Sequence, residues 1–93
     1  MNNEFITQQA REWARRLLRM ETNPARRIEE MFETAIGRPV EERERAEVMQ
    51  FLETQRQLYE SLPKTVNHAE VDEKLWADLC HVLFNSAEFI YVR

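Results

Sequence analysis

Gly37 is the only glycine in this chain of 93 residues, and that scarcity is the strongest constraint on its fold. Sheets joined by tight turns need residues that adopt positive φ, a role that glycine usually fills. A β-rich fold is therefore disfavoured, and helices are the expected elements. A chain of this length forms one small domain. We therefore predict a single all-α domain that spans residues 1–93.

Apolar side chains recur every three or four residues in four segments, the spacing of one buried helical face. The segments predict helices at about 4–20, 24–36, 41–62 and 71–84, arranged as a small bundle. We expect Asn3 to cap the first helix, and Asn23 with Pro24 to start the second. Gly37 should end the second helix in a left-handed conformation. Residues 63–70 show no periodicity and are predicted to form a loop.

The predicted third helix has a broad apolar stripe with one polar interruption. The stripe contains Val48, Phe51, Leu52, Gln55, Leu58, Tyr59 and Leu62. Residues 53–57 are all polar, so we expect the central turn of this helix to be more exposed than its two ends.

Composition also excludes several classes of protein. One cysteine cannot form an internal disulfide, and no apolar run approaches the roughly 18–20 residues of a membrane span. Arginines of the first helix, with Arg26 and Arg27, form the one basic patch. Acidic helices offset this patch, the net charge is −4, and no recognition-helix signature follows. We therefore predict neither a membrane span nor a nucleic-acid partner.

The segment from Ala77 to His81 has part of the spacing used for covalent haem attachment. That chemistry normally needs Cys-x-x-Cys-His, and here Ala77 occupies the first cysteine position. Cys80 also falls on the apolar face of the fourth helix, where a lone cysteine behaves as a small buried hydrophobe. We expect no haem and no other cofactor.

Two further groups of residues are weak candidates for chemistry. His68, Glu70 and Asp72 offer a nitrogen and oxygens to a metal, but alternating side chains diverge on a helix. Asp78 and His81 are three residues apart and could hydrogen-bond, with Cys80 or Ser86 as the nearby nucleophile. Without glycine-rich loops to form an oxyanion hole, we expect neither a metal site nor an enzyme.

The chain ends in an apolar tail. It contains Phe89, Ile90, Tyr91 and Val92. A free tail of this composition would expose apolar surface to water, so we expect it to form a docking surface that packs on the bundle or on a partner.

Three stretches of the sequence carry a resemblance to a known family. They are Met1–Ala10, then Arg27–Phe32 running into Ala35–Pro39, and finally Trp76–Tyr91, in which Leu-Cys-His and Leu-Phe-Asn-Ser-Ala-Glu-Phe are the most specific part. They resemble the C-terminal end of a large planctomycete-type domain of unknown function. That domain commonly follows a planctomycete cytochrome c domain on one long, exported chain.

The resemblance implies that this chain is a piece of a larger extracytoplasmic protein. It supplies no catalytic residue, because the family has no established activity. Where the family usually has a proline and a threonine, this chain has Val40 and Glu41. We expect that change to weaken the third helix cap by about 0.5–2 kcal/mol if nothing replaces it.

These observations favour a non-catalytic structural or docking role, with other domains of the parent protein as partners. An excised piece also exposes surface that its parent would cover, so weak homodimerisation is a further expectation. The alternative is a redox or hydrolytic site that upstream domains of the parent complete. In that case the fourth helix and the loop before it would contribute His68 and His81.

Overall fold

A computed structural model describes residues 3–62 and 67–86. These residues form four helices and no strand: α1 (Asn3–Met20), α2 (Pro24–Ala35), α3 (Glu42–Glu60) and α4 (His68–Phe84). The predicted all-α bundle is confirmed in this part of the chain. No helix within it combines the length and hydropathy that a membrane span requires.

Helix α4 lies at the centre of the bundle. It packs most extensively against α1, then against α3, and it also contacts α2. Its buried residues are Val71, Leu75, Trp76, Leu79, Cys80 and Leu83. These residues lie on several sides of α4, since three other helices cover it.

Charged contacts join α1 and α3 to α4, and those of α3 also show its direction. Arg56 of α3 pairs with Asp72 of α4 at 2.8 Å, and Glu60 lies 3.9 Å from His68 at the adjoining ends. On the other side, Arg15 of α1 pairs with Glu73 at 3.1 Å. The earlier residue of each α3 pair faces the later residue of α4, so α3 is antiparallel to α4.

The two ends of α2 follow the sequence signals closely. The side chain of Asn23 accepts a hydrogen bond from the backbone N–H of Ala25 at 2.9 Å, and Pro24 occupies the first turn. Gly37 adopts a φ of 82°, and its N–H donates to the carbonyl of Phe32 at 2.9 Å. The predicted cap and stop of this helix are confirmed.

Three other predicted boundaries are corrected by the structure. Helix α4 begins at His68 rather than 71, because the side chain of Asn67 accepts the backbone N–H of Glu70 at 2.8 Å and caps the helix. Helix α3 ends at Glu60, where the Ser61 hydroxyl donates to the carbonyl of Leu58 at 2.9 Å. Asn3 is the first residue of α1 and not its cap.

The face that α3 turns toward the bundle also differs from the prediction. Leu52 is the one buried residue of α3, while Gln55 and Arg56 in its polar middle are half-buried. Leu58 is 57% exposed and Leu62 is 51% exposed, so the C-terminal end is more exposed than the centre. The cause is that α4 presents carboxylates to α3, which bind the polar side chains and turn the leucines outward.

Candidate functional site

An open cleft of about 280 Å³ lies between α1 and α3, with α4 as its floor. We call it the α1–α3 groove. The polar side chains that line it are Thr7 and Arg11 of α1, Tyr59 of α3, and Glu73, Lys74, Asp78 and His81 of α4. The groove brings together residues from three helices that are far apart in the sequence.

Asp78 is held in place on the floor of the groove by two side chains of α3. Its Oδ2 accepts a hydrogen bond from the Tyr59 hydroxyl at 2.5 Å and another from Nε2 of Gln55 at 2.8 Å. Burial, together with the hydrogen bond to Asp78, raises the pKa of Tyr59 to about 12. The phenol therefore stays protonated at neutral pH, and the carboxylate acts as a fixed acceptor that joins α3 to α4.

The basic side chains that line the groove are different from the arginines that join the helices through ion pairs. Arg15 and Arg56 each bind a carboxylate of α4, as described above. Within the described ranges, no carboxylate pairs with Arg11, Lys74 or His81. The Lys74 ammonium instead lies 5.8 Å from the centre of the Tyr59 ring. The groove is thus lined by two cationic side chains, Arg11 and Lys74, and by two carboxylates, Glu73 and Asp78.

Three large apolar side chains in this part of the chain are exposed. They are Leu58 near the end of α3, Leu62 just beyond it, and Val82 of α4. The described lining of the α1–α3 groove does not include them.

The cysteine and histidine of the incomplete haem pattern face different surroundings. Cys80 is fully buried, and that burial raises the pKa of its thiol to about 12. His81, the next residue, lines the α1–α3 groove. The structure does not bring the two side chains to one accessible site.

The predicted weak metal candidates are separated by the helix. His68 is at the start of α4 with its side chain 92% exposed, Glu70 lies beside its capping residue Asn67, and Asp72 pairs with Arg56. Among residues 3–62 and 67–86, no group of three or more His, Cys, Asp or Glu side chains is arranged to hold a metal ion. His68 and His81 are also separated by roughly 20 Å of helix.

Asp78 and His81 do line the same groove, as the hydrolytic alternative requires. However, the carboxylate oxygen of Asp78 that makes hydrogen bonds receives them from Tyr59 and Gln55, not from His81. Ser86 lies beyond the end of α4. This arrangement orients Asp78 toward α3, and among the described residues no carboxylate orients His81.

The arginines of the predicted basic patch have different environments. The guanidinium of Arg27 lies 5.2 Å from the centre of the Trp76 ring, and burial lowers its pKa from the ordinary value. Its Nε also donates to the carbonyl of Glu21. Arg27 therefore packs α2 against α4, whereas Arg26 is exposed.

Sequence reasoning did not identify the groove residues Tyr59, Gln55, Lys74 and Arg11. One signal was present, since Gln55 interrupts an otherwise apolar stripe at a position that faces the bundle. The predicted docking residues Phe89, Ile90, Tyr91 and Val92 lie outside the described residues.

No protein-family model, curated protein or solved structure matches this chain. The resemblance to the planctomycete-type domain therefore stays a prediction.

Proposed function

We propose that this chain is a non-catalytic helical docking domain of a larger protein, and that its partners are other domains of that protein. The observation that carries the proposal is the pair of exposed leucines at the C-terminal end of α3 and just beyond it, Leu58 and Leu62. Exposed apolar surface of this kind is typical of a region that another protein segment covers. The family resemblance adds that the parent is exported and associated with cytochrome c domains.

The orientation of α3 supports this role. This helix uses Gln55, Arg56 and Tyr59 to contact α4, although leucines are available at neighbouring positions. Burying those leucines inside the bundle would stabilise an isolated domain by about 1.5–3 kcal/mol for each side chain. Their outward placement is easier to understand if they are buried against a partner.

The polar groups of the described residues favour docking over chemistry. Asp78 is bound by two side chains of α3, and the thiol of Cys80 is buried with a raised pKa. A nucleophile needs an accessible side chain and an adjacent base, and a catalytic carboxylate needs a free oxygen near its substrate. Of the groups named in the sequence hypotheses, Asp78 joins α3 to α4 and Cys80 packs in the core.

The test compares binding of the other domains of the natural full-length protein to the chain and to its variants. Leu58→Gln with Leu62→Gln removes both exposed leucines. Met20→Gln is the control, since Met20 is 77% exposed at the far end of α1. We expect the double variant to weaken binding about tenfold or more in calorimetry, and the control to leave it unchanged. Equal binding by all three proteins would contradict the proposal.

A second candidate function has one observation in its favour. Asp78 and His81 line the same groove, where upstream domains could place a redox group or a substrate against them. In that case His81→Ala in the full-length protein should abolish an activity or shift a haem spectrum while the chain stays folded. The docking function instead requires only that the surface around His81 be covered.

A further inference from the structure

We propose that a second cavity of this domain binds a free α-amino acid with an apolar side chain. The cavity lies between the start of α2, the middle of α3 and the first half of α4, and we call it the Trp76 cavity. Arg27 binds the ligand carboxylate, and Asp72 binds its ammonium group. The site is separate from the exposed leucines of the proposed docking function, since its lining does not include them.

The Trp76 cavity has the size and lining of a site for a small ligand. Its volume is about 340 Å³, within the roughly 300–1,000 Å³ that is usual for such sites. Its apolar lining residues are Pro24, Met49, Leu52, Leu75 and Trp76. A few charged groups that converge on a partly apolar wall are typical of a site that orients a small molecule.

Arg27 is a carboxylate donor that the bundle holds in place. Its guanidinium lies 5.2 Å from the centre of the Trp76 ring, and its Nε donates to the backbone carbonyl of Glu21. No described residue accepts a hydrogen bond from its two terminal nitrogens. Two nitrogens of one guanidinium match the two oxygens of a carboxylate, and a fixed side chain loses little freedom on binding.

The charge of Arg27 is only partly compensated within the bundle. Burial lowers the pKa of this guanidinium from its ordinary value, although the carboxylates of Asp72 and Glu21 act in the opposite direction. A ligand carboxylate would add negative charge beside the terminal nitrogens. The exposed arginines, such as Arg19 and Arg26, differ from Arg27 because water solvates their charge.

Asp72 supplies a negative group to the same cavity. Nη2 of Arg56 lies 2.8 Å from Oδ1 of Asp72, yet Oδ1 accepts no hydrogen bond from the described residues and is shielded from solvent. The Asp72 side chain as a whole is 38% exposed, so Oδ2 is the oxygen that a ligand can reach. An ammonium group at Oδ2 would give this carboxylate a charge-assisted hydrogen bond that Arg56 does not provide.

The balance of charges in the cavity identifies the ligand as a zwitterion. Arg27 and Asp72 lie close enough for the carboxylate to affect the pKa of the guanidinium. Arg56 and Glu53, the other charged residues of the lining, also have opposite signs. A plain anion would meet Asp72, and a plain cation would meet Arg27. An α-amino acid carries both charges on one carbon, so a single small molecule satisfies both groups.

The apolar lining identifies the side chain of the ligand. Met49 lines the cavity but is 44% exposed, whereas Leu52 and Trp76 lie deeper and are buried. An aliphatic or aromatic side chain against Met49 would cover apolar surface that now contacts water. The flexible thioether of Met49 also adapts to ligands of different shape.

The first arm of the test measures binding of L-valine, L-leucine and L-phenylalanine to the chain. The chain has two tryptophans, so Trp13→Phe leaves Trp76 as the single fluorophore on the cavity wall. We expect a saturable change in its fluorescence with a Kd of about 1 mM or below for at least one of the three. Calorimetry with the unsubstituted chain checks the same affinity.

Analogues of the tightest binder test each group of the ligand separately. Its amide lacks the carboxylate, its deaminated acid lacks the ammonium group, and glycine lacks the side chain. Because each analogue leaves one part of the cavity without a partner, each should bind at least about tenfold more weakly.

The second arm assigns the carboxylate contact to Arg27. Arg27→Lys keeps the positive charge and the alkyl stem beside Trp76 but loses the paired nitrogens. Arg26→Lys makes the same change at the exposed neighbouring position. We expect the Arg27 variant to lose about tenfold in affinity for the amino acid and the Arg26 variant to lose none. Circular dichroism confirms that both variants retain their helices.

A third variant gives a readout that a purely structural role of Asp72 would not change. Asp72→Asn should weaken binding of the amino acid but not of its deaminated acid, because the negative charge is removed. The ratio of these two affinities should therefore fall about tenfold. An unchanged ratio would show that Asp72 does not contact the ammonium group.

The remaining outcomes also decide the assignment. The proposal is overturned if none of the three amino acids binds, or if the tightest binder and its analogues bind equally. Equal affinities in Arg27→Lys and Arg26→Lys would remove the carboxylate from Arg27 and overturn it as well. Tighter binding of the deaminated acid would assign the cavity to a plain carboxylate. The docking function is tested through Leu58 and Leu62, so either proposal can fail without the other.

Discussion

The guanidinium of Arg38 binds the carboxylate of Glu44 through two nitrogens, with Nη1 2.8 Å from Oε1 and Nη2 2.6 Å from Oε2. The same Oε1 accepts the backbone N–H of Glu41, the cap residue of α3, at 2.9 Å. Glu44 therefore caps α3 and joins it to the segment that follows α2. The family resemblance predicts a weak cap at this position, and Glu44 supplies the replacement.

Glu44→Gln should lower the stability of the bundle in a pH-dependent way. Hydrogen bonds from Arg38 and from the Glu41 backbone lower the pKa of Glu44 from 4.5 to about 2. Because the folded state lowers this pKa, the carboxylate stabilises the fold above about 4.5, and the contribution is lost as the pH falls toward 2. Urea unfolding should show a deficit of about 1 kcal/mol in the variant at neutral pH. The deficit should shrink across the window from 4.5 to 2.

The control for this prediction is Glu47→Gln on the same helix. Glu47 pairs with Arg43 at 3.7 Å with both side chains largely exposed, and such pairs contribute little. A deficit for the Glu44 variant that does not change with pH would show that its charge is not responsible.

Tyr59 should titrate at unusually high pH, and Asp78 should contribute to that behaviour. Phenolate absorbance of the folded chain should show a group with a pKa of about 12 that disappears in Tyr59→Phe. In Asp78→Asn the pKa should fall but remain above the ordinary 10.0, because burial is the largest cause of the shift. The raised pKa stabilises the fold below pH 10 and loses its effect as the pH rises toward 12. An unchanged pKa in Asp78→Asn would contradict the role of the hydrogen bond.

Leu75→Ala should destabilise the bundle far more than Leu58→Ala. Leu75 is fully buried in α4, and removal of such a side chain costs about 2–5 kcal/mol. Leu58 is mostly exposed, so its truncation should change the free energy of unfolding by about 0.5 kcal/mol or less. Denaturant unfolding of both variants measures the difference. Similar losses would mean that α3 buries its leucines and that its described orientation is wrong.

The thiol of Cys80 should be unreactive in the folded chain. Its side chain is fully buried and the pKa is raised to about 12, so neither access nor thiolate formation favours reaction at neutral pH. A thiol reagent should label the native protein slowly and the protein in denaturant completely. Cys80→Ala provides the blank. Rapid labelling of the native chain would restore Cys80 as a candidate for covalent chemistry.

Helix α2 was predictable because its signals are local. Asn23, Pro24 and Gly37 each act on the backbone within a few residues of themselves, so their effect can be read without the rest of the fold. The start of α4 was missed for a related reason. The capping residue Asn67 stands in a stretch without apolar periodicity. Periodicity alone therefore places the start of this helix at 71, three residues too late.

The orientation of α3 and the groove depend on partners that are distant in sequence. Apolar spacing predicts that Leu58 faces the core, but Asp78 of α4 binds Gln55 and Tyr59 and sets a different face inward. Arg11 joins Tyr59 and Lys74 only because α1 and α3 flank the same helix. A single sequence contains no record of such pairings, since they arise from tertiary packing.

Because the central helix α4 follows the other three in sequence, the order of synthesis matters for this domain. A ribosome releases α1 before the surface against which it packs exists, and the contacts between them span most of the chain. The apolar face of α1 must wait, exposed or held by a chaperone, until residues up to Leu83 have emerged. Folding of the bundle is therefore expected to wait for α4, and to be slower than in a bundle whose neighbouring helices are consecutive.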